Sequence, residues 1–150
     1  MRSIIQRVTS ASVEIDDREK GRIGTGFLVL LGIEENDTTE DAEWLAGKIA
    51  NMRIFGDQEN RMNLSLQAVD GEILLISQFT LHAQVKKGNR PSFIRAAAPE
   101  KAIPLYEKFV DLLEKHLGKK IQTGEFGAYM KVNLVNDGPV TIFIDTKERE

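Results

Sequence analysis

The sequence predicts a single mixed α/β domain in which two sheets of mostly antiparallel strands are covered on one side by two helices. Short apolar runs of strand length, such as Phe27–Leu31 and Ile73–Ile76, are bounded by turn residues. Two longer segments, over residues 40–53 and 99–117, carry apolar residues at helical spacing. The order strand–strand–helix–strand–strand–helix–strands fits a layered arrangement, and the length of 150 residues fits one domain spanning residues 1–150.

The composition is that of an ordinary globular protein and excludes several kinds of chemistry. Hydrophobic residues make up 41% of the chain, and no apolar run approaches the roughly 20 residues that a membrane span needs. The absence of cysteine excludes disulfides, thiolate catalysis and thiolate metal sites. The two histidines lie far apart in the sequence, so we expect neither a metal site nor a cofactor. The N-terminus has no signal-peptide layout and is predicted to form a first strand, and the lack of cysteine fits a cytoplasmic protein.

The first half of the chain is predicted to contain strands followed by a helix. Apolar and polar residues alternate over Ala11–Ile15, which indicates a half-buried strand, and Asp16–Gly21 is predicted to be a turn. The buried run Phe27–Leu31 completes a predicted hairpin. Cap and acidic residues at positions 36–40 then predict a helix that continues through Arg53.

The two predicted helices carry further signals. Trp44 belongs to the apolar face of the first helix, which favours a core position over stacking on a cofactor. In the second helix Pro99 stands where its missing N–H costs nothing, and Gly118 ends the apolar stripe. Pro104 lies in the early turns, so we expect a local irregularity there.

The stretch Glu72–Leu81 combines four branched aliphatic residues with a polar end. The run Ile73–Ile76 predicts a strand that is buried on both faces, and Ser77, Gln78 and Thr80 follow at its end. Polar side chains and free N–H groups held at the end of a buried strand are in position for chemistry. Alternatively, these polar residues only satisfy a turn.

Two strands and an intervening turn are predicted near the C-terminus. The runs Met130–Val135 and Ile142–Ile144 have strand character. Between them, Asn136–Pro139 has the composition of a turn connecting two strands.

A cluster of cations follows the central stretch. The net charge of the chain is −3, so its overall field does not favour nucleic acid and any RNA contact must come from a local basic patch. The densest patch is made by Lys86, Lys87, Arg90 and Arg95. It is either a solvated loop or a contact for an RNA phosphate backbone.

The sequence contains no familiar catalytic motif. It has neither a G-x-x-x-x-G-K-S/T phosphate loop nor a G-x-S-x-G elbow. An enzyme built from this chain would therefore depend on positioned hydroxyls, backbone N–H groups and carbonyls. His82 adjoins the polar end of the central stretch and is a further candidate for a functional role.

Several short motifs together resemble the D-aminoacyl-tRNA deacylase family, also called D-tyrosyl-tRNA deacylases. Each motif alone is weak, but their order and spacing over the whole chain are highly specific. Tyr129 departs from the family pattern, which usually has an acidic residue at that place. The motifs are Met1–Val8, Ser77–Leu81, Lys87–Phe93, Thr123–Ala128 and Asn136–Thr141.

The resemblance implies a three-layer β/β/α fold and a homodimeric cytoplasmic enzyme. Such an enzyme hydrolyses the ester that links a D-amino acid to the 3′-terminal adenosine of tRNA. In the family, each pocket joins the Ser77–Thr80 segment of one subunit to the Gly138–Pro139 segment of its partner, and that Gly–Pro bond is cis. The implied substrate-binding residues are Ser77, Gln78, Phe126, Gly138 and Pro139, and the implied RNA-binding residues are Lys86, Lys87, Arg90 and Arg95.

The implied catalytic residues are Phe79 and Thr80. Their backbone N–H groups could hold the developing oxyanion while the ribose 2′-hydroxyl of the tRNA orients water. Alternatively, the Thr80 hydroxyl attacks the ester, although the sequence offers it no obvious adjacent base. Two competing functions are a non-catalytic RNA-binding or scaffold protein and an esterase that acts on another small ester.

Overall fold

A long first strand organises the fold, because three other strands pair with it. The computed structural model describes residues 1–149, and the helices formed there are α1 (Thr39–Asn51) and α2 (Pro99–Leu117). Short 3-10 turns lie at Gln67–Val69 and Phe79–His82. The strands are β1 (Arg2–Ile15), β2 (Arg18–Ile23), β3 (Gly26–Gly32), β4 (Phe55–Gly56), β5 (Met62–Leu64), β6 (Glu72–Ser77), β7 (Gln122–Thr123) and β8 (Lys131–Asp145).

The strands form one large sheet, mostly antiparallel, and one small sheet. β1 is antiparallel to β2, β3 and β8, whereas β3, β6 and β7 run parallel to one another. Residues 2–8 of β1 pair with β3 and residues 11–15 pair with β2, so β1 passes from one layer of strands into a second. β4 and β5 pair separately. Because α1 and α2 cover one side of the β3–β6 layer, the predicted mixed α/β fold is confirmed.

Strand β6 is buried on both faces, as its sequence predicts. Ile73 and Leu75 pack against the helices, whereas Leu74 and Ile76 pack against a second cluster that includes Val8 of β1. All four aliphatic residues of β6 are at most 2% exposed. A strand held between two apolar layers has little freedom to move, so the residues at its end are rigidly placed.

Both helices follow their predicted signals. The side chain of Asp41 accepts a hydrogen bond from the Thr38 N–H (2.9 Å) at the start of α1, and Gly118 ends α2 with a φ of 68°. Helix α2 continues through Pro104 without a break. Trp44 is half-buried at the edge of the core, and the Arg149 guanidinium lies 4.5 Å from its ring centre. Within residues 1–149 no helix is long and apolar enough to cross a membrane.

Two predicted boundaries are wrong. The turn predicted over residues 16–21 is confined to Asp16 and Asp17, whose φ angles of 52° and 59° reverse the chain so tightly that β2 already begins at Arg18. Helix α1 ends at Asn51 and does not continue through Arg53 as predicted. Strand β6 ends at Ser77, and the polar residues after it lead into a 3-10 turn.

The segment Asn136–Pro139 is not a turn between two strands. Strand β8 keeps its direction from residue 131 to 145, and both halves pair with β1. Residues 137–140 bulge out where the pairing steps from Gln6 with Thr141 to Val8 with Asn136. Pairing with β1 on both sides therefore overrides the local turn signal.

Candidate functional site

The end of β6 borders a cavity of about 260 Å³. The cavity brings together the predicted substrate-binding residues Ser77, Gln78 and Phe126 and the predicted catalytic residue Phe79. Its remaining walls come from β3, the start of α2 and the segment that leads into β8, and the residues involved are Leu31, Ile33, Ala97, Ala102, Gly127, Ala128, Tyr129, Met130 and Val132. Most of these are apolar and look like ordinary core residues in the sequence, without a local signal of a site. The exceptions are Gly127 and Ala128, which belong to the motif Thr123–Ala128, and Tyr129, which follows it.

We call the 3-10 turn Phe79–His82 the site turn. It is fixed at its start because the Gln78 N–H donates to the Leu31 carbonyl oxygen at 2.7 Å. Gly32 gives it room, since a Cβ at Gly32 would lie 2.9 Å from the Gln78 carbonyl oxygen. Within residues 1–149 the N–H groups of Phe79 and Thr80 have no hydrogen-bond acceptor, as expected for the first donors of a helical turn. Two unpaired backbone donors can hold a developing negative charge.

The hydroxyl of Thr80 has a neighbouring amide and no base. It accepts a hydrogen bond from the side-chain Nε2 of Gln78, and no described carboxylate or imidazole bonds to it. His82 lies on the same turn but is only 1% exposed, and its ring nitrogens have no partner among the described residues. Burial lowers the pKa of His82, against the opposing effects of the Gly32 backbone and of Glu34. His82 is thus a buried neutral ring. It does not line the cavity, so the structure provides no contact that would support its predicted functional role.

Aromatic residues line two parts of the cavity. Phe126 packs edge-on against Tyr106 of α2, with ring centres 5.8 Å apart. The Tyr106 hydroxyl donates to the Leu75 carbonyl oxygen at 3.2 Å, and burial raises its pKa to about 12. This contact anchors the Phe126 wall to β6. At the rim, Tyr129 is 86% exposed.

Gly138 and Pro139 do not line the cavity of their own chain. Both are exposed on the bulge of β8, and the peptide bond between them is cis. Arg7 supports the bulge, because its Nε donates to the Asp137 carbonyl oxygen at 3.1 Å. Gly138 has a φ of 134°, and a Cβ there would lie 2.6 Å from a methyl group of Val140, so both backbone and space require glycine.

The basic loop, residues 84–92, begins two residues after the site turn. Backbone hydrogen bonds between Gln84 and Ser92 (2.8 and 3.0 Å) close its base. Phe79 contacts Phe93, the residue after the loop, edge-on with ring centres 5.1 Å apart, so the end of the loop is attached to the site turn. The three cations of the loop are exposed and form no salt bridge with any residue between positions 1 and 149; they are Lys86, Lys87 and Arg90.

The fourth predicted cation differs from the other three. The Arg95 guanidinium bonds to the buried Glu34 carboxylate at 2.8 Å, so its charge is compensated within the chain.

Among residues 1–149 no three His, Asp or Glu side chains converge as metal ligands would. A second cavity, of about 930 Å³, lies between α1 and the end of β8 and contains none of the predicted site residues.

Comparison with known proteins assigns the chain to a family. A family model described as D-Tyr-tRNA(Tyr) deacylase matches residues 4–145. Proteins named D-aminoacyl-tRNA deacylase from Flavobacterium johnsoniae and Bacteroides fragilis are 63% and 59% identical to the chain, and each match covers 100% of both sequences.

Two solved structures share the fold of this chain. A structure titled c-Myc DNA Unwinding Element Binding Protein has a TM-score of 0.90 at 42% identity and covers 97% of this chain and 98% of its own. A probable eukaryotic D-amino acid tRNA deacylase shares the fold, with a TM-score of 0.83 at 18% identity over 95% of this chain and 97% of its own. The chain therefore belongs to the D-Tyr-tRNA(Tyr) deacylase family.

Proposed function

We propose that this chain is a D-aminoacyl-tRNA deacylase, a hydrolase that releases the D-amino acid and free tRNA from the ester that joins them. The observation that carries the proposal is the site turn, which places two unpaired N–H groups at the end of a buried strand beside a small cavity. The family assignment and the names of relatives at 56–63% identity support the same reaction. Neither the family nor the names of these relatives favour a non-catalytic scaffold or an esterase with another substrate.

The site turn stabilises charge without a nucleophile of its own. As water attacks the ester carbonyl, its oxygen becomes negative and accepts hydrogen bonds from the N–H groups of Phe79 and Thr80. The ribose 2′-hydroxyl of the tRNA orients the water, because the described part of the chain places no base beside the Thr80 hydroxyl. Ser77, Gln78 and Phe126 hold the aminoacyl group in the cavity.

A second copy of the chain completes each pocket. The Gly138–Pro139 segment is exposed on its own subunit and lies outside that subunit's cavity, as a segment used by a partner would. In the described chain β8 pairs with β1 alone, so one edge of this 15-residue strand is free. A backbone segment without a bulky side chain or an N–H at Pro139 can approach the α-carbon of the bound amino acid and reject the L-form.

The tRNA binds across the basic loop. Lys86, Lys87 and Arg90 provide free positive charge next to the site turn, and Arg95, whose charge is compensated by Glu34, contributes hydrogen-bond donors to the tRNA backbone. These contacts position the 3′-end and carry no sequence information, which suits an enzyme that acts on many tRNAs. The reaction takes place in the cytoplasm, where aminoacyl-tRNA is found.

The reaction is tested by incubating the protein with D- and L-tyrosyl-tRNA and measuring the free tyrosine. We expect rapid release from the D-form and release from the L-form no faster than in buffer. Binding of both tRNAs without release would support the scaffold function instead. Release from simple aryl esters together with inert D-tyrosyl-tRNA would support another esterase.

The shared pocket is tested by complementation between two inactive variants. Phe79→Pro removes one N–H donor of the site turn, and Gly138→Val blocks the segment that serves the partner. When the two are co-expressed, half of the dimers are mixed, and each mixed dimer has one intact pocket. We expect about a quarter of wild-type activity in the mixture and almost none in either variant alone. Equal inactivity of all three samples, with mixed dimers present, would contradict a shared pocket.

A further inference from the structure

The side chain of Arg2 ties the start of β1 to the far end of the site turn. Its Nη1 donates to the Leu81 carbonyl oxygen at 3.0 Å, and its Nε donates to Oδ2 of Asp145 at 2.8 Å. Leu81 is near the end of the turn, where no later N–H group of the turn can donate to its carbonyl oxygen. This oxygen therefore needs a hydrogen-bond donor from elsewhere in the chain. A charged guanidinium provides a stronger hydrogen bond than a neutral donor.

Asp145 holds this guanidinium in a fixed orientation. The two residues face each other across the β1–β8 ladder, and the Asp145 side chain is only 6% exposed. Although burial opposes ionisation, the Lys147 N–H (2.9 Å) and Arg2 keep the pKa of Asp145 below its usual value. The carboxylate therefore stays charged and oriented, and one guanidinium edge remains free to reach Leu81.

The site turn is consequently attached at both ends. The Gln78 N–H fixes its start on β3, and Arg2 fixes its end. The two N–H groups proposed to hold the oxyanion lie between these attachments. Neither Arg2 nor Asp145 lines the cavity, so neither contacts the substrate there.

We propose that Arg2, oriented by Asp145, is a positioning residue that sets the geometry of the site turn for the reaction. The proposal rests on the proposed deacylase function for its effect on turnover. A purely structural ion pair between β1 and β8 would affect unfolding but not the turnover of the folded enzyme.

The test compares Arg2→Lys and Asp145→Asn with wild type in deacylation of D-tyrosyl-tRNA. Lysine keeps the charge but cannot make both bonds in the planar geometry of arginine. We expect kcat to fall about 10-fold in Arg2→Lys with KM within about twofold, because only the geometry of the donors changes. Since both residues act through one contact, the double variant should be little worse than Arg2→Lys alone. Arg22→Lys, which alters an exposed pair with Glu19, is the matched control and should leave kcat unchanged.

Amide hydrogen exchange provides a measurement that does not depend on the substrate. The N–H groups of Leu81 and Ala83 are protected by bonds inside the turn, to Gln78 (3.2 Å) and Thr80 (3.1 Å). We expect Arg2→Lys to speed their exchange about 10-fold while β6 amides keep their protection.

Each outcome decides a separate point. The proposal would be overturned if Arg2→Lys had the same turnover per folded molecule as Arg22→Lys and the same rate of amide hydrogen exchange in the site turn. This holds whatever the melting temperature of Arg2→Lys. If wild type itself releases no D-tyrosine, the proposed function fails, and the exchange rates alone then decide whether Arg2 holds the turn.

Discussion

The replacement Thr80→Ala separates backbone catalysis from attack by the hydroxyl. Alanine removes the oxygen that accepts the hydrogen bond from Gln78 but keeps the Thr80 N–H. The lost bond accounts for about 0.5–1.5 kcal/mol, and some displacement of the neighbouring donor adds to it. Removing an oxyanion donor outright costs roughly 100- to 1,000-fold, which sets the upper bound. We therefore expect deacylation to slow by about 10- to 100-fold, or about 1.4–2.7 kcal/mol of barrier.

The assay is single-turnover release of D-tyrosine from D-tyrosyl-tRNA, with tRNA binding measured in parallel. Thr80→Ser is the matched control, because it keeps the hydroxyl and should remain within a few-fold of wild type. A required nucleophile would instead cost on the order of a million-fold, as in serine hydrolases. Complete loss of turnover with binding and fold intact, together with an acyl adduct on Thr80 in wild type, would refute backbone catalysis.

Three further predictions follow from the surroundings of the site turn. Gly32→Ala places a Cβ 2.9 Å from the Gln78 carbonyl oxygen, so the site turn must shift. The rate of single-turnover deacylation should fall at least 10-fold, and an unchanged rate would show that the turn adapts freely. Replacing the three cations of the basic loop by glutamine should reduce the slope of log affinity against log salt by about 2 to 3, whereas neutralising three lysines of α2 should not. The pKa of His82 is lowered on folding, so the stability it contributes is present above the unfolded value of 6.5 and is lost as the pH falls through the folded value. The free energy of unfolding, measured with denaturant, should therefore fall less between pH 7.5 and 5 for His82→Asn than for wild type. Equal decreases in the two proteins would contradict the lowered pKa of His82.

Local sequence patterns predict correctly those elements whose surroundings in the fold match their own pattern of apolar and polar residues. The run Ile73–Ile76 has apolar side chains on both faces and is buried on both. Helix α2 begins at Pro99 and ends before Gly118 because these residues act on the backbone directly. Such features need no knowledge of distant contacts.

The bulge in β8 could not be predicted from local signals. The residues Asn136–Pro139 favour a reversal, and only their pairing partners show that the chain continues in one direction. The partner strand β1 lies more than a hundred positions away in the sequence, and Arg7 holds the bulge from there. The residues of the cavity walls cannot be recognised from the sequence for a similar reason. Ala97 and Met130 line the same cavity only when α2 and β8 are in place.

The proposed site, to which residues 1–149 contribute no acid–base pair, depends on how rigidly its donors are held. Hydrogen-bond stabilisation falls steeply when a donor is misplaced, and an N–H group cannot compensate by changing its protonation state. The site turn meets this demand with contacts from three directions: Leu31 at its start, Arg2 at its end and Phe93 against the Phe79 ring. Each contact comes from a different part of the fold, so substitutions far from the ester can slow the reaction without touching the substrate. Loss of kcat with KM preserved at such positions is thus the behaviour expected of this site.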